Sequence, residues 1–404
     1  MEYKILILGS DINAYTMARA YYELTGNKAD LISRLKLKVT SDSKICKVRY
    51  EKNLLEPNIF KDTLLSYALE NRGKKIILVG TNDYYVKAIA EHVKFLSKYY
   101  LFNYPSLEII SDFLNKENFY IKYHSYFEMP KTIVYSCSEK KLNKKELLYP
   151  VVVKPVNTYE YFKLSFIGQA KVFKVDNQSE LTSVLKLIEE AGYKDKLLIQ
   201  EFIPGDDSKL FDCMFYVNSK GKAEHATFAQ IGLQEHTKTG VGNCTVLVNG
   251  FSEFGCASKI INTSKKFLED LKYCGFAEFD FKYDIRDNKY KLLEINPRQA
   301  RCSYYFSICA KNLMKCLIDD LIYKKHSDFE FSQKKLVLSF VPKNIIHKNI
   351  DNHLLLKEIN KTIKSNGLIN PLKYDKDLRF SRIIYLFLRD LNYKKKYKNP
   401  NWWK

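Results

Sequence analysis

The sequence predicts an α/β chain with an α+β mix: a parallel-sheet unit first, then two lobes of mixed strands and helices. Three observations carry this. Short, largely apolar runs at residues 3–8 and 75–80 each break at a glycine and pass into a helical pattern, the mark of a parallel sheet covered on both faces. Further on, strand-like runs come in neighbouring pairs, which favours antiparallel sheets. One such pair, residues 276–298, alternates aromatic or aliphatic residues with acids.

The first run, Tyr3-Lys4-Ile5-Leu6-Ile7-Leu8, ends at Gly9-Ser10-Asp11, and Ala14, Met17, Ala18 and Tyr21 then share one helix face. The unit lacks G-x-G-x-x-G, so a dinucleotide fingerprint is not its reading. The second run, 75–80, turns at Gly80-Thr81-Asn82-Asp83 into a helix over 85–96, and the unit is placed at residues 1–105. A central lobe, 106–196, contains a helix over 107–123 carrying Lys116, a strand 149–155 carrying Lys154, an antiparallel hairpin over 156–175 with one glycine, Gly168, and a helix over 179–191. A third lobe, 197–328, starts with Leu197-Leu198-Ile199-Gln200-Glu201-Phe202-Ile203, which runs into the turn Pro204-Gly205-Asp206-Asp207. It continues with β structure over 210–250, including the loop Gly240-Val241-Gly242-Asn243, helices over 252–273 and 302–324, and the 276–298 hairpin between them. Residues 329–404 form a basic, aromatic extension, and no internal repeat is present.

The chain has 404 residues, 66 Lys and Arg against 46 Asp and Glu, and a net charge of +20. That length suits two or three domains with real cores. The charge favours anionic partners such as polyphosphorylated metabolites, although no nucleic-acid-reading motif is present and nucleic acid is not an expected partner. The nine cysteines include no C-x-x-C pair, which fits reduced thiols and a cytoplasmic setting. The apolar start is too short for a signal peptide, and no stretch has the length of a membrane-spanning helix. In the extension, Phe380, Ile383, Ile384, Phe387 and Leu388 recur at helical spacing beside Arg379, Arg382 and Arg389, before Lys394-Lys395-Lys396 and Trp402-Trp403-Lys404. Such a stripe reads first as packing on its own domain, and only second as contact with anionic lipid.

The hairpin is the most informative segment. With its turn at Arg286-Asp287-Asn288, Asp280 lies opposite Glu294 and Glu278 opposite Asn296, while Phe279, Phe281, Leu293 and Ile295 face the core. Carboxylates and an amide oxygen on one plate make a hard donor surface suited to Mg2+, which usually also takes substrate phosphate oxygens. Arg298, two residues beyond Asn296, has the geometry to grip a phosphoryl group. With Lys116, Lys154, the Gln200–Ile203 strand and Asp206-Asp207 ahead of it, the chain presents in order the parts needed to hold ATP.

This ordered set resembles the ATP-grasp superfamily of carboxylate–amine ligases over about residues 1–325, and within it the D-aspartate ligases of peptidoglycan synthesis. The finer likeness rests on Leu8-Gly9-Ser10-Asp11-Ile12-Asn13 with Met17-Ala18-Arg19, Lys154-Pro155-Val156-Asn157 with Glu160-Tyr161, and Gln200-Glu201-Phe202-Ile203-Pro204-Gly205-Asp206-Asp207-Ser208. Gly275-Phe276-Ala277, Phe279-Asp280, Lys282-Tyr283-Asp284, Arg286-Asp287, Glu294-Ile295-Asn296, Arg298-Gln299 and Arg301 complete it. The resemblance implies a Rossmann-like first domain and two lobes clamping ATP. It implies Lys116 and Lys154 on the phosphates, Glu201–Ile203 along the adenine, Asp207 or Asp206 at the ribose, and two Mg2+ ions on Asp280, Glu294 and Asn296. Arg298 would stabilise the transferred phosphoryl group, and Arg301, Lys282 and Tyr161 would meet substrate. The implied substrates are an amino acid and a nucleotide-linked muramyl peptide; the alternatives are another ATP-grasp ligation, as of a different amino acid, peptide or capsule unit, or a protein that binds nucleic acid or a membrane surface. The segment Asn157–Gln169 departs from the glycine-rich phosphate loop of many ATP-grasp enzymes and reads as a lid shaped to substrate.

Overall fold

The computed structural model describes residues 2–142, 148–237, 240–255 and 257–398, without the side chains of Lys141, Leu142 and Tyr159. Strands β1 (Tyr3–Leu8), β2 (Ala29–Ser33), β3 (Cys46–Tyr50) and β4 (Lys75–Gly80) form a parallel sheet in the order β3-β2-β1-β4. Alternation along β1 explains its two covers. Ile5 and Ile7 pack with Ala14, Met17 and Tyr21 of the helix Ile12–Thr25, whereas Leu6 and Leu8 pack with Phe60, Leu64 and Tyr67 of the helix Pro57–Glu70. Asp11 starts the first helix by accepting from the Ala14 amide at 3.0 Å, and Asn82 caps the helix Asp83–Glu91. Gly9 is required where the tips of β1 and β4 meet: its φ is +138°, and a Cβ there would lie 2.0 Å from Thr81 Oγ1.

Strands β5 (Thr132–Ser136), β6 (Lys141–Leu142), β7 (Val151–Pro155), β8 (Phe173–Val175) and β9 (Lys196–Glu201) form an antiparallel sheet in the order β6-β5-β9-β7-β8. Two expectations change here. The helix expected over 107–123 is two helices, Leu107–Leu114 and Lys116–Tyr123. Asn115 breaks the run because its side chain accepts from the Glu117 and Asn118 amides and so caps the second helix. The hairpin expected over 156–175 is instead a helical turn, Thr158–Tyr161, and a loop leading to β8, which pairs back on β7. That turn points Tyr161 inward, where it is fully buried against Phe166 and Tyr193 and its hydroxyl donates to Ala170 O at 2.9 Å.

Strands β10 (Leu210–Val217), β11 (Ala223–Gln234), β12 (Cys244–Asn249), β13 (Gly275–Asp284), β14 (Lys289–Asn296), β15 (Glu330–Ser332), β16 (Leu336–Ser339) and β17 (Leu368–Ile369) make the largest sheet, in the order β14-β13-β10-β11-β12-β16-β17 with β15 beside β11. One face buries Phe211, Phe215, Phe279 and Phe281 against Phe267 and Leu268 of the helix Ala257–Asp270. On the other face, Met214, Tyr216 and Ile231 share a core with Met314, Leu317 and Leu321 of the helix Leu313–Leu321 and with Ile5 and Ile7 of β1, so that helix lies between the two sheets.

The C-terminal helix, Phe380–Lys396, contradicts the expected packing of its stripe. Arg382, Leu386 and Tyr393 form its buried face, and the fully buried Arg382 pairs with Asp377 at 3.1 Å. Phe380, Ile383, Ile384, Phe387, Leu388 and Leu391 are exposed instead. The hydrophobic period marked the face opposite the true contact, because arginine and tyrosine supply the inner one. Trp402 and Trp403 lie outside the described residues.

Candidate active site

A cavity of about 530 Å3 opens between the β6-β5-β9-β7-β8 sheet and the largest sheet. Its floor is the β13–β14 hairpin. Asp280 lies opposite Glu294 and Glu278 opposite Asn296, as the alternation predicts. Past Asp280 the register slips by one residue, so Phe281 faces Leu292. Leu292 is therefore in the core, and Leu293, expected there, borders the cavity. The Leu292 amide is drawn outward to Glu128 O at 2.8 Å, a contact between distant segments.

Glu278, Asp280 and Glu294 crowd on one plate. Burial and the neighbouring Glu278 and Glu294 carboxylates push the Asp280 carboxyl well up, and burial with Asp212 does the same to Glu278. Glu294 is held low instead, first by the Lys116 ammonium at 3.3 Å and also by Lys171 and Lys154. Asn296 Nδ2 donates to Glu278 at 3.0 Å, and its oxygen accepts from Arg298 at 3.3 Å. An all-oxygen donor set under like-charge strain fits a hard divalent cation, with a half-turn of the Asn296 amide bringing a further oxygen inward.

Opposite this plate stand three lysines. Lys116 starts its helix; Lys154, on β7, donates to Gln200 Oε1 at 2.9 Å; Lys171 donates to Val241 O at 3.2 Å. Burial, reinforced by Lys116, pushes the Lys154 ammonium down to about 7, and burial also lowers Lys171. Gln200 is the hub that positions Lys154, since its amide nitrogen donates to Thr132 Oγ1 at 2.8 Å.

Beyond β9 the wall is Phe202-Ile203, with Lys174 and Lys282 over the Phe202 ring at 5.1 and 5.2 Å. Glu201 turns its carboxylate away, to Arg286 at 2.7 Å. Lys282, expected near substrate, donates to Gly205 O at 2.9 Å on this side of the cavity, and burial pushes it down to about 8. Asp207 has both oxygens engaged by Gln234, at 2.8 and 3.0 Å, and so fixes β11. Asp206 spends one oxygen on the Ser208 amide and hydroxyl and also lines the cavity.

At the other end, Arg298 Nε donates to Asp83 at 2.6 Å, and Arg301 donates to the Tyr393 hydroxyl at 3.0 Å. Asn13 links the parallel sheet to this corner, donating to Thr81 O at 2.8 Å and Gln299 O at 2.9 Å. Asn13 and Asp83, just past the carboxyl ends of β1 and β4, thus hold the Arg298–Gln299 segment beside the cleft, and that edge is the usual ligand edge of such a sheet. Sequence reasoning missed Lys171, Gln234, Asp83, Asp212 and Cys302. Only Asp83 had a usable signal, an acid just after a parallel strand. Among the expected residues, Tyr161 alone is outside the cavity: it is core beneath the Asn157–Gln169 segment.

A nucleotide-sized cleft between two α/β lobes, with a parallel-sheet unit joined to one end of it through Asn13 and Asp83, is the architecture of the ATP-grasp class. Solved structures agree. The L-amino acid ligase from Bacillus licheniformis superposes with a TM-score of 0.56 at 15% identity, covering 80% of this chain and 74% of that one. The N5-carboxyaminoimidazole ribonucleotide synthetase from Thermus thermophilus gives 0.59 at 15%, covering 82% of each. The biotin carboxylase domain of the Hydrogenobacter thermophilus 2-oxoglutarate carboxylase, solved with MgADP, gives 0.59 at 16%, covering 81% of this chain and 72% of that one. No family model matches the chain. A curated protein does: the D-aspartate ligase of Enterococcus faecium (strain Aus0004) is 32% identical over 411 residues, spanning 98% of this chain and 96% of that protein. The chain belongs to the D-aspartate ligase family and is an ATP-dependent carboxylate–amine ligase acting on small-molecule substrates, with ATP and Mg2+ as general family features. Among the described residues, no helix is long and apolar enough to cross a membrane.

Proposed function

We propose that the protein activates the β-carboxylate of D-aspartate with ATP and joins it to the lysine side-chain amine of UDP-MurNAc-pentapeptide, a cytoplasmic step of peptidoglycan cross-bridge formation. The carrying observation is a single cavity in which Asp280 and Glu294 face Lys116, Lys154 and Lys171. The substrates are those of the resemblance, supported by the name of the 32% identical relative.

Phe202 and Ile203 border the adenine, and Asp206 takes the ribose hydroxyls while Asp207 holds the wall in place. Lys116, Lys154 and Lys171 neutralise the phosphates. Asp280, Glu294 and Asn296 would hold Mg2+, two ions in this reading, and the metal would supply positive charge against the phosphates. A carboxylate oxygen of the amino acid attacks the γ-phosphorus in line, the bond to the β-phosphate oxygen breaks, and ADP leaves an acyl-phosphate. The acceptor amine then attacks the acyl carbon, phosphate departs, and the nitrogen loses a proton to leave an amide. Such transfer asks mainly for positioning and charge neutralisation. Arg298, steadied by Asp83, faces the phosphoryl group, and Arg301 meets a substrate carboxylate.

The test is Mg2+-dependent ADP release across a panel of L- and D-amino acids, with and without the muramyl-pentapeptide nucleotide, followed by mass spectrometry of the product. D-aspartate with the nucleotide should give the amide. Turnover with another amino acid alone, or indifference to the acceptor, refutes the substrate assignment.

A further inference from the structure

The outer face of the C-terminal helix is unlike a solvated surface. Phe380, Phe387 and Leu388 are 80%, 60% and 54% exposed, and Ile383, Ile384 and Leu391 are exposed with them. At 100° per residue these six fall on one side, opposite Arg382, Leu386 and Tyr393. The helix cannot roll to cover them. Arg382 donates to Val39 O at 2.8 Å, pairs with Asp377 and stacks on Tyr15 at 4.2 Å, all inside the protein.

Cations frame the stripe. Arg379 precedes it, and Lys394, Lys395 and Lys398 follow on the exposed side. The one acid of the helix, Asp390, is already paired with Lys373 at 2.8 Å. We propose that this face docks the protein peripherally on a bilayer rich in anionic phospholipid, with the apolar side chains at the acyl boundary and the flanking cations among the headgroups. Charge complementarity selects this occupant. A second copy would bring together two chains of net charge +20 and two sets of the same cations. The inner face carries the consequence: Tyr393 accepts from Arg301, and Tyr397 bonds Gln234 O, both residues of the cleft wall. Docking would hold that wall about one helix diameter, roughly 10 Å, from the lipid. The inference does not depend on which amino acid the enzyme activates.

The full chain is mixed at low salt with phosphatidylglycerol–phosphatidylcholine vesicles or with phosphatidylcholine vesicles alone, then sedimented. Binding is expected only to the anionic vesicles. The double substitution Phe387→Ser, Leu388→Ser should weaken it by about tenfold or more, and Lys394→Glu, Lys395→Glu by a similar factor. Circular dichroism and ADP release should be unchanged in the Phe387→Ser, Leu388→Ser variant, since both residues are exposed and distant from the chemistry. Failure of the unaltered chain to bind anionic vesicles overturns the proposal, as does binding that survives Phe387→Ser, Leu388→Ser. Sedimentation velocity showing a dimer that this variant dissolves, without vesicle binding, assigns the face to a second copy and also overturns it.

Discussion

Replacing Lys154 with arginine separates charge from titration at the phosphate end of the cleft. Burial and Lys116 bring the Lys154 ammonium down from 10.5 to about 7, although Glu294 pulls the other way. Charging it in the empty cleft thus costs roughly 5 kcal/mol relative to water. The folded chain binds fewer protons than the unfolded one between the two values, so without nucleotide stability rises with pH through that window. Phosphate oxygens reverse the preference by favouring the ammonium. At pH 8 the empty site holds only about 0.1 of that proton, so Mg·ADP binding should draw in about 0.9; at pH 6 it should draw in about 0.1. By linkage, affinity should fall about fivefold between pH 7 and 8 and nearly tenfold per pH unit above pH 8. Arginine remains charged throughout, so Lys154→Arg should cut proton uptake at pH 8 by about 0.9 while keeping a cation for the phosphates. Loss of the fit to Gln200 should weaken binding at pH 6 by about tenfold. Calorimetry of Mg·ADP binding in two buffers of different ionisation heat reads the proton count directly. Lys171 contributes to both proteins and cancels in the difference. Equal uptake by the two proteins at pH 8, or none by the unaltered one, would refute the assignment of Lys154 as the titrating phosphate contact.

Three further outcomes are expected. Glu294→Gln removes the carboxylate that faces three lysines and should lower Mg2+-dependent ADP release by about two orders of magnitude or more without unfolding the chain; a near-normal rate contradicts its role. Phe279→Ala empties a fully buried site beneath the plate and should cost about 3–5 kcal/mol, measured by urea unfolding. Arg382→Leu leaves Asp377 buried without its cation and should cost about 3 kcal/mol, the low end for a broken buried pair, because Tyr15, Ser43 and the Lys44 amide still donate to Asp377. Early proteolysis near residue 380 would accompany it as the C-terminal helix loosens.

The residues that could be read from sequence are those whose position follows from local geometry. Period-two alternation fixed Asp280 against Glu294, and a glycine after an apolar run located the ends of β1 and β4. What could not be read depended on partners far along the chain. The bulge that moves Leu293 to the cavity accompanies a bond from Leu292 to Glu128, and Lys171 enters the site only because β8 folds back on β7. Asn115 is different, since a capping residue before Lys-Glu was legible and the helical period on both sides concealed it. The C-terminal stripe shows the limit of periodicity itself. A period locates a face but does not say what covers it, and here the covered face is made of Arg382, Leu386 and Tyr393.

The charges of the cleft also say what kind of ligand completes it. Burial and mutual repulsion raise Asp280 and Glu278 on the floor, and burial with neighbouring cations lowers Lys154 on the opposite wall. If the two sets satisfied each other, these shifts would run the other way, as they do for Glu294, which touches Lys116. The floor therefore calls for added positive charge and the wall for added negative charge, a few ångströms apart. A dication alone would relieve the carboxylates and further disfavour the ammonium groups; a polyphosphate alone would do the reverse. A nucleotide arriving with its magnesium relieves both at once. Binding of each should accordingly strengthen the other, so the apparent Kd for ADP should rise by at least about tenfold when EDTA strips the magnesium, and by much less in Glu294→Gln. An ADP affinity equal with and without magnesium would mean that the floor and the wall serve different ligands.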